Sequence, residues 1–364
     1  MSHKILVFTE QKVGEGHFQA AKSIQLMLNN YQKGQVDVQL VSGMNAVHPF
    51  LEWLLITGYF TLIKTVPFLW KWMYLRTTKC SVFHRHFFKF RLKKLLHHEK
   101  PDIVLFTHPS CVSAVCEIRK NSKNKFKLGA IFTDYGFHPF FIHTEMDYYF
   151  VAHEKIKKRL INNYGIQAEC IYDYGIPVHS DFEHTVEEPN VIPFRNPHQF
   201  HILILGGATG YGPIQKLVHV LRSQRIPYHI TVITGKNQRL YRKLRRKNDE
   251  STVVLGYVTN MKYWMERADV IITKPGGLTV SEAIRCGTPI VTINPIPGHE
   301  EANERFLHEH RIGVPVKDIS LVPYYIRKWL IHPYELQEWR ERIKNFQKPN
   351  AALRIVQTLL EQTK

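Results

Sequence analysis

Residues 269–295 read DVIITKPGGLTVSEAIRCGTPIVTINP. An apolar run of strand length, DVIITK, passes through Pro275-Gly276-Gly277 into a helical stretch, and a second strand, PIVTINP, follows at 289–295. Short strands that are apolar throughout are buried on both faces, and a helix between two of them makes a parallel βαβ unit. Gly276 and Gly277 carry no side chain, so a phosphate can approach the backbone where Leu278 and Thr279 open the helix. Glu282, about one turn in, has two readings on spacing alone. It is either a carboxylate aimed at ribose hydroxyls or a solvated residue complementing the helix dipole.

The same alternation runs through the rest of the chain. Strand-like runs stand at 4–9 (KILVFT), 36–41 (VDVQLV), 102–107 (DIVLFT), 128–133 (LGAIFT) and 148–152 (YYFVA). After a polar, proline-containing stretch they resume at 200–207 (FHILILGG), 228–235 (YHITVITG) and 252–258 (TVVLGYV). The expected organisation is α/β, with two Rossmann-like domains facing one another across a cleft. The first covers residues 1–180, a linker 181–199, the second domain 200–335, and terminal helices 336–364. Both halves open on a strand that enters a glycine turn, Gly14-Glu15-Gly16 in one and Gly206-Gly207 with Gly210 in the other. Neither completes GxGxxG, and VDVQLV lacks the terminal acid that would hold an NAD ribose, so a dehydrogenase is disfavoured.

Composition narrows the class. At 364 residues, 44% hydrophobic and 22% charged, the chain is globular and long enough for two cores. Its net charge of +18 calls for an anionic partner: nucleic acid, a charged substrate or an acidic membrane leaflet. Five scattered cysteines with no CxxC pair suggest reduced thiols in a cytoplasmic setting, with no metal site. MSHKILVFTEQK leads directly into a strand, so no signal peptide is expected. The longest apolar stretch, FLEWLLITGYFTLI at 50–63, contains Glu52 and is too short to cross a bilayer, though it can lie on one.

Taken together, several blocks resemble one family. LGYVTNMKYWMERADVIITKPGGLTVSEAIRCGTPIVTINPIPGHEEANERFL (255–307), GEGHFQAAKSI (14–24), FTDYGFHPFF (132–141), YYFVA and YGIPV (174–178) follow in the order found in the monogalactosyldiacylglycerol synthase and processive diacylglycerol beta-glucosyltransferase family. That family belongs to glycosyltransferase family 28 and has the GT-B fold. The resemblance implies an inverting, metal-independent transfer of a hexose, glucose by expectation, from a UDP-sugar to diacylglycerol or a related lipid. It places uracil against Tyr257 and Val258, and the diphosphate against Gly276, Gly277, Leu278 and Thr279 with Gly207 and Ala208. Glu282 would bind the ribose, and His299, Glu300, Glu301 and Asn303 the donor sugar. His299 stands where glutamine is usual, which leaves the sugar's identity in question. His17 matches the family's base, and the ordinary pKa of histidine suits deprotonation of a hydroxyl near neutrality. Asp134 is a candidate for orienting that base, and Gly16 and His138 for binding acceptor, with structural roles as the alternative for Asp134 and His138. No cofactor is expected, since the UDP-sugar is a substrate.

A lipid acceptor also accounts for the charge. Residues 64–98 interleave Lys and Arg with Phe, Trp and Tyr, and in FHRHFFKFRLKKLLHH (83–98) positions 83, 87, 88, 92, 95 and 96 share one helical face. Such a segment suits an anionic membrane surface, or else a core-facing helix with a solvated back. The basic KNQRLYRKLRRK (236–247) comes without a nucleic-acid motif and reads as a solvated face, so no nucleic-acid partner is expected. The sequence therefore points to a peripheral enzyme on the cytoplasmic face of the cell membrane. Transfer of N-acetylglucosamine to a polyprenyl-linked acceptor, or UDP-sugar binding without catalysis, are the alternatives.

Overall fold

The computed structural model describes residues 3–361 apart from 13–14, 32–33, 35, 48, 67, 71, 74–88, 123–125, 185–198, 209, 211, 225 and 247–250. The chain divides into two compact units. Unit 1 is Met1–Ser180 with Pro297–His299 and Asn350–Lys364, and unit 2 is Asp181–Ile296 with Glu300–Pro349.

Unit 1 is built on β1 (His3–Thr9), β2 (Val36–Ser42), β3 (Ile103–Phe106), β4 (Lys127–Ile131), β5 (Tyr148–Phe150) and β6 (Ile171–Tyr172). All pairings are parallel, in the order β2-β1-β3-β4-β5-β6. Ile5 to Phe8 and Ile103 to Phe106 are fully buried, which is why these strands are apolar throughout. The helices are α1 (Glu15–Tyr31), α2 (Gly43–Val47), α3 (Pro49–Thr65), α4 (Lys89–Glu99), α5 (Val112–Lys120) and α6 (Glu154–Tyr164). Strand order reverses between β1 and β3, and ligands of open parallel sheets bind at the carboxyl ends of the strands flanking such a reversal.

The apolar helix α3 is oriented by its one acid. Glu52 is buried and accepts from Lys12 Nζ at 2.7 Å and Asn45 Nδ2 at 2.8 Å. Beside it, buried Glu10 accepts from the Met44 N–H and Ser110 Oγ, both at 2.8 Å. With Glu52 turned inward, Phe50 (64% exposed), Trp53 (58%) and Leu54 (50%) face outward, followed along the chain by exposed Val66, Phe68, Leu69, Trp72 and Met73. In α4 the outcome differs from a membrane-facing helix. Leu92 and Leu96 are buried, while Arg91, Lys93 and Lys94 point outward. The described half of the amphipathic face seen in the sequence thus packs on the core, and positions 83, 87 and 88 lie outside the described residues.

Unit 2 contains β7 (Phe200–Leu205), β8 (Tyr228–Ile233), β9 (Thr252–Leu255), β10 (Val270–Thr273), β11 (Ile290–Ile293) and β12 (Gly313–Val316). They form a parallel sheet in the order β12-β11-β10-β7-β8-β9, which reverses between β7 and β10. Its helices are α7 (Ile214–Arg222), α8 (Gln238–Arg245), α9 (Met261–Arg267), α10 (Gly277–Cys286), α11 (His299–Glu309), α12 (Val322–Ile331) and α13 (Pro333–Lys344). Most of the stretch read as a linker lies outside the described residues, but its start is tied to unit 2. Glu183 pairs with Arg285 at 2.9 Å, and Lys262 donates to the His184 carbonyl.

The final helix, α14 (Ala351–Glu361), belongs to unit 1. Ile355, Val356 and Leu359 are fully buried in one core with Ile5, Val7, Ala21, Ile24 and Leu28. Tyr174, packed against the same core, fastens it further, with its hydroxyl 3.1 Å from Thr358 Oγ1 and its ring 4.1 Å from the Arg354 guanidinium.

Candidate active site

The candidate residues collect at the two reversal points. In unit 1, His17 lies in the first turn of α1, directly after β1, and Thr107 and His108 follow β3. His17 Nδ1 is 2.8 Å from the Thr107 carbonyl oxygen and 2.6 Å from Thr133 Oγ1. A carbonyl oxygen only accepts, so Nδ1 carries the proton and Nε2 is left with its lone pair. Among the described residues Nε2 has no partner. Burial lowers the His17 pKa, against the opposing charge of Asp134, and keeps the ring neutral near pH 7.

Asp134, expected to orient the base, acts on His17 as a nearby charge; its neighbour Thr133 makes the hydrogen bond. His108, which sequence reasoning missed, stands edge-on to His17 with ring centroids 4.9 Å apart. It too is held well below the ordinary histidine pKa, first by burial and then by the adjacent His17 and His138. His138 Nδ1 accepts from the Phe140 N–H at 3.3 Å and so caps the short turn Pro139–Phe141, and burial lowers its pKa to about 4. Gly16 is half-buried in the same first turn of α1 as His17.

In unit 2 the residues expected to cradle an anion lie in the loops after β7 and β10. Gly276 is the N-cap of α10 and offers no capping side chain. The first helical bond runs from the Val280 N–H to the Gly276 carbonyl, so the N–H groups of Gly277, Leu278 and Thr279 have no acceptor among the described residues. Three free amides at a helix N-terminus make a ready seat for phosphate. Across from them the β7 turn is shaped by Gly207, whose φ of 65° favours glycine. A Cβ there would come 3.3 Å from Lys274 Cε, which places this turn against the loop after β10. Ala208 accepts from the Lys236 N–H at 2.9 Å, and Lys236 Nζ lies 5.9 Å over the ring of Tyr257, which is exposed. Tyr257 and half-buried Val258 follow the end of β9.

Glu282, on α10, stands apart from its neighbours in its surroundings. Its carboxylate has no hydrogen-bond or ion-pair partner among the described residues, and burial raises its pKa to about 8. A solvated dipole-complementing residue would have neither property. Glu300 and Asn303, placed by resemblance on the donor sugar, are buried, and both bond to the residues around the Pro-Gly-Gly loop. Glu300 pairs with Lys274 and accepts from the Ile296 N–H at 2.8 Å, and Asn303 Nδ2 donates to the Pro275 carbonyl at 2.9 Å. They hold the turn that carries the free amides. His299 and Glu301, both half-buried, stand at the start of α11.

Comparison with known proteins accounts for both halves. The family model described as monogalactosyldiacylglycerol (MGDG) synthase matches residues 17–178, and the glycosyltransferase family 28 C-terminal domain matches 201–353. A processive diacylglycerol beta-glucosyltransferase of Bacillus thuringiensis is 32% identical, covering 99% of this chain and 94% of its own. The chain belongs to this family. A relative of the same description from Bacillus cereus is 31% identical over 98% of the chain and 93% of its own. Among solved structures, MurG of Acinetobacter baumannii (TM-score 0.61, 15% identity, 99% and 100% covered) has a similar fold. So does the glycosyltransferase SnogD of Streptomyces nogalater (TM-score 0.61, 14% identity, 100% of both chains covered). The fold of this family member is GT-B, and the chain is a glycosyltransferase.

Proposed function

We propose that this enzyme moves a hexose, glucose in the leading case, from a UDP-sugar to diacylglycerol or a related membrane lipid, with inversion to a β-linkage. The observation that carries the reading is the His17 imidazole, fixed through Nδ1 and open at Nε2. In a chain related along its whole length to diacylglycerol glucosyltransferases, that nitrogen is a base waiting for a hydroxyl. The lipid hydroxyl gives its proton to Nε2 as its oxygen attacks the anomeric carbon of the donor. The bond from that carbon to the phosphate oxygen breaks, and its electron pair leaves with UDP. The charge gathering on the diphosphate is met by the N–H groups of Gly277, Leu278 and Thr279 and by the Gly207-Ala208 turn. Glu282 takes the ribose hydroxyls, Tyr257 and Val258 border the uracil, and His299 and Glu301 face the sugar. No cofactor enters this reading.

The acceptor dictates where the enzyme works. No helix among the described residues is long and apolar enough to cross a membrane. The outward Phe50, Trp53 and Leu54 of α3 supply an apolar surface for lying on one, and the chain's positive charge suits an anionic leaflet. Free Cys111, Cys116, Cys170 and Cys286 agree with the cytoplasmic face. The test is transfer from labelled UDP-glucose, UDP-galactose and UDP-N-acetylglucosamine to vesicles containing diacylglycerol or a polyprenyl phosphate lipid. A β-glucolipid is expected, with transfer abolished and UDP affinity nearly unchanged in His17→Ala. UDP binding without turnover of any sugar would leave a binding protein in place of an enzyme.

A further inference from the structure

Helix α8 carries a charge pattern that the transfer reaction does not use. Leu244 is buried, and Leu240 and Tyr241 pack on the unit 2 core. Arg239, Arg242, Lys243, Arg245 and, just past the end, Arg246 are all exposed. At 3.6 residues per turn these cations occupy roughly half of the helix circumference, opposite the buried side. Elsewhere in unit 2 cations commonly meet acids: Arg285 with Glu183, Lys328 with Glu335, Arg340 with Asp269 and Lys344 with Glu341. Among the described residues, none of the five on α8 has a carboxylate partner. The helix dipole favours cations in the last turn, which accounts in part for Arg242, Lys243 and Arg245. It disfavours Arg239, in the first turn after the Asn237 cap.

We propose that the cationic face of α8 is an electrostatic docking surface for anionic lipid headgroups, carried by unit 2. The inference rests on the lipid-acceptor reading above. A sheet of phosphates satisfies separated guanidinium groups without requiring any fixed pattern. A single-stranded nucleic acid would call for aromatic platforms as well, and the outer arc has none. Tyr241 is half-buried, with its hydroxyl accepting from Arg245 Nη1 at 2.7 Å.

The test uses the full chain and the triple substitution Arg239→Gln, Arg242→Gln and Lys243→Gln, which breaks no ion pair among the described residues. Binding is measured by co-sedimentation with phosphatidylcholine vesicles, with and without about one third phosphatidylglycerol. A cation beside such a surface changes partitioning by about fivefold, so the variant should lose at least about tenfold on the anionic vesicles. It should bind the neutral vesicles as the wild type does and glycosylate diacylglycerol in detergent micelles at an unchanged rate. Equal binding of variant and wild type to anionic vesicles would overturn the proposal. So would an equal loss on both kinds of vesicle, or a loss confined to a single-stranded oligonucleotide. If the predicted vesicle effect is seen but the wild type glycosylates no lipid, the surface stands and the functional reading fails.

Discussion

The Nδ1 proton of His17 is shared between the Thr107 carbonyl and the Thr133 hydroxyl, so deleting the hydroxyl leaves one anchor where there were two. Thr133→Val should lower kcat by about three- to tenfold, the worth of one hydrogen bond, with little change in KM for the donor, and Thr133→Ser should restore it. Burial depresses the His17 pKa, so the imidazole proposed as base stays deprotonated into the acid range. The acid limb of kcat/KM should therefore fall below the ordinary histidine value. Asp134→Asn, which removes the charge holding that pKa up, should move the limb lower still; a limb that stays put would take His17 out of the base role. Glu282 makes the opposite prediction about protons. With a pKa raised to about 8 it is mostly protonated at pH 7 in the free enzyme, and ribose hydroxyls donating to it favour the ionised form. UDP binding should release a proton, read by calorimetry in buffers of different ionisation enthalpy, and Glu282→Gln should abolish the release and weaken UDP about tenfold or more. Because its folded pKa is raised, Glu282 costs stability as pH rises from 4.5 through about 8, so the glutamine variant should gain in Tm relative to the wild type above that pH. His17 and Glu282 were visible as residue types at telling positions in the sequence. Thr107, His108 and Thr133 were not, because their roles exist only once β1, β3 and β4 lie side by side.

At the scale of elements, the turn between β10 and α10 offers two separate probes, Gly276 at its mouth and Asn303 behind it. Gly276 has φ −66°, open to any residue, and a Cβ there would meet Glu300 Oε1 and Lys274 Nζ at an ordinary 3.7 Å. Gly276→Ala should leave Tm within a few degrees yet weaken UDP at least about tenfold, since the methyl occupies the approach of the phosphate. Asn303→Ala strips the buried Pro275 carbonyl of a donor, and should cost about 1–3 kcal/mol of stability along with UDP affinity. Wild-type UDP affinity in Gly276→Ala would remove the turn from the donor site. The turn was readable because strand, glycine pair and helix are consecutive in the sequence. The strands were readable where they are central and apolar throughout. β6 and β12 were not, for physical reasons: one has two residues, and the other contains Pro315, which only an edge strand tolerates.

For the molecule as a whole, the least legible feature is where the last helix goes. The sequence shows terminal helices, but no local pattern says which of two cores will take the last one. Ile355→Asp should place a charge in the core shared with Ile5, Ile24 and Leu28, and unfold unit 1 at a lower temperature. With the donor site proposed in unit 2, UDP binding should persist above that transition, until unit 2 itself unfolds; loss of UDP binding in step with unit 1 would contradict that placement. The same feature has a consequence for biosynthesis. Ala21, Ile24 and Leu28 leave the ribosome early but receive the last part of their cover only when residues 351–361 emerge, more than three hundred residues later. Throughout that interval the nascent chain displays an unfinished apolar face, open to chaperones. Unit 1, which contains His17, is thus the last to be completed, after all of unit 2 has been translated.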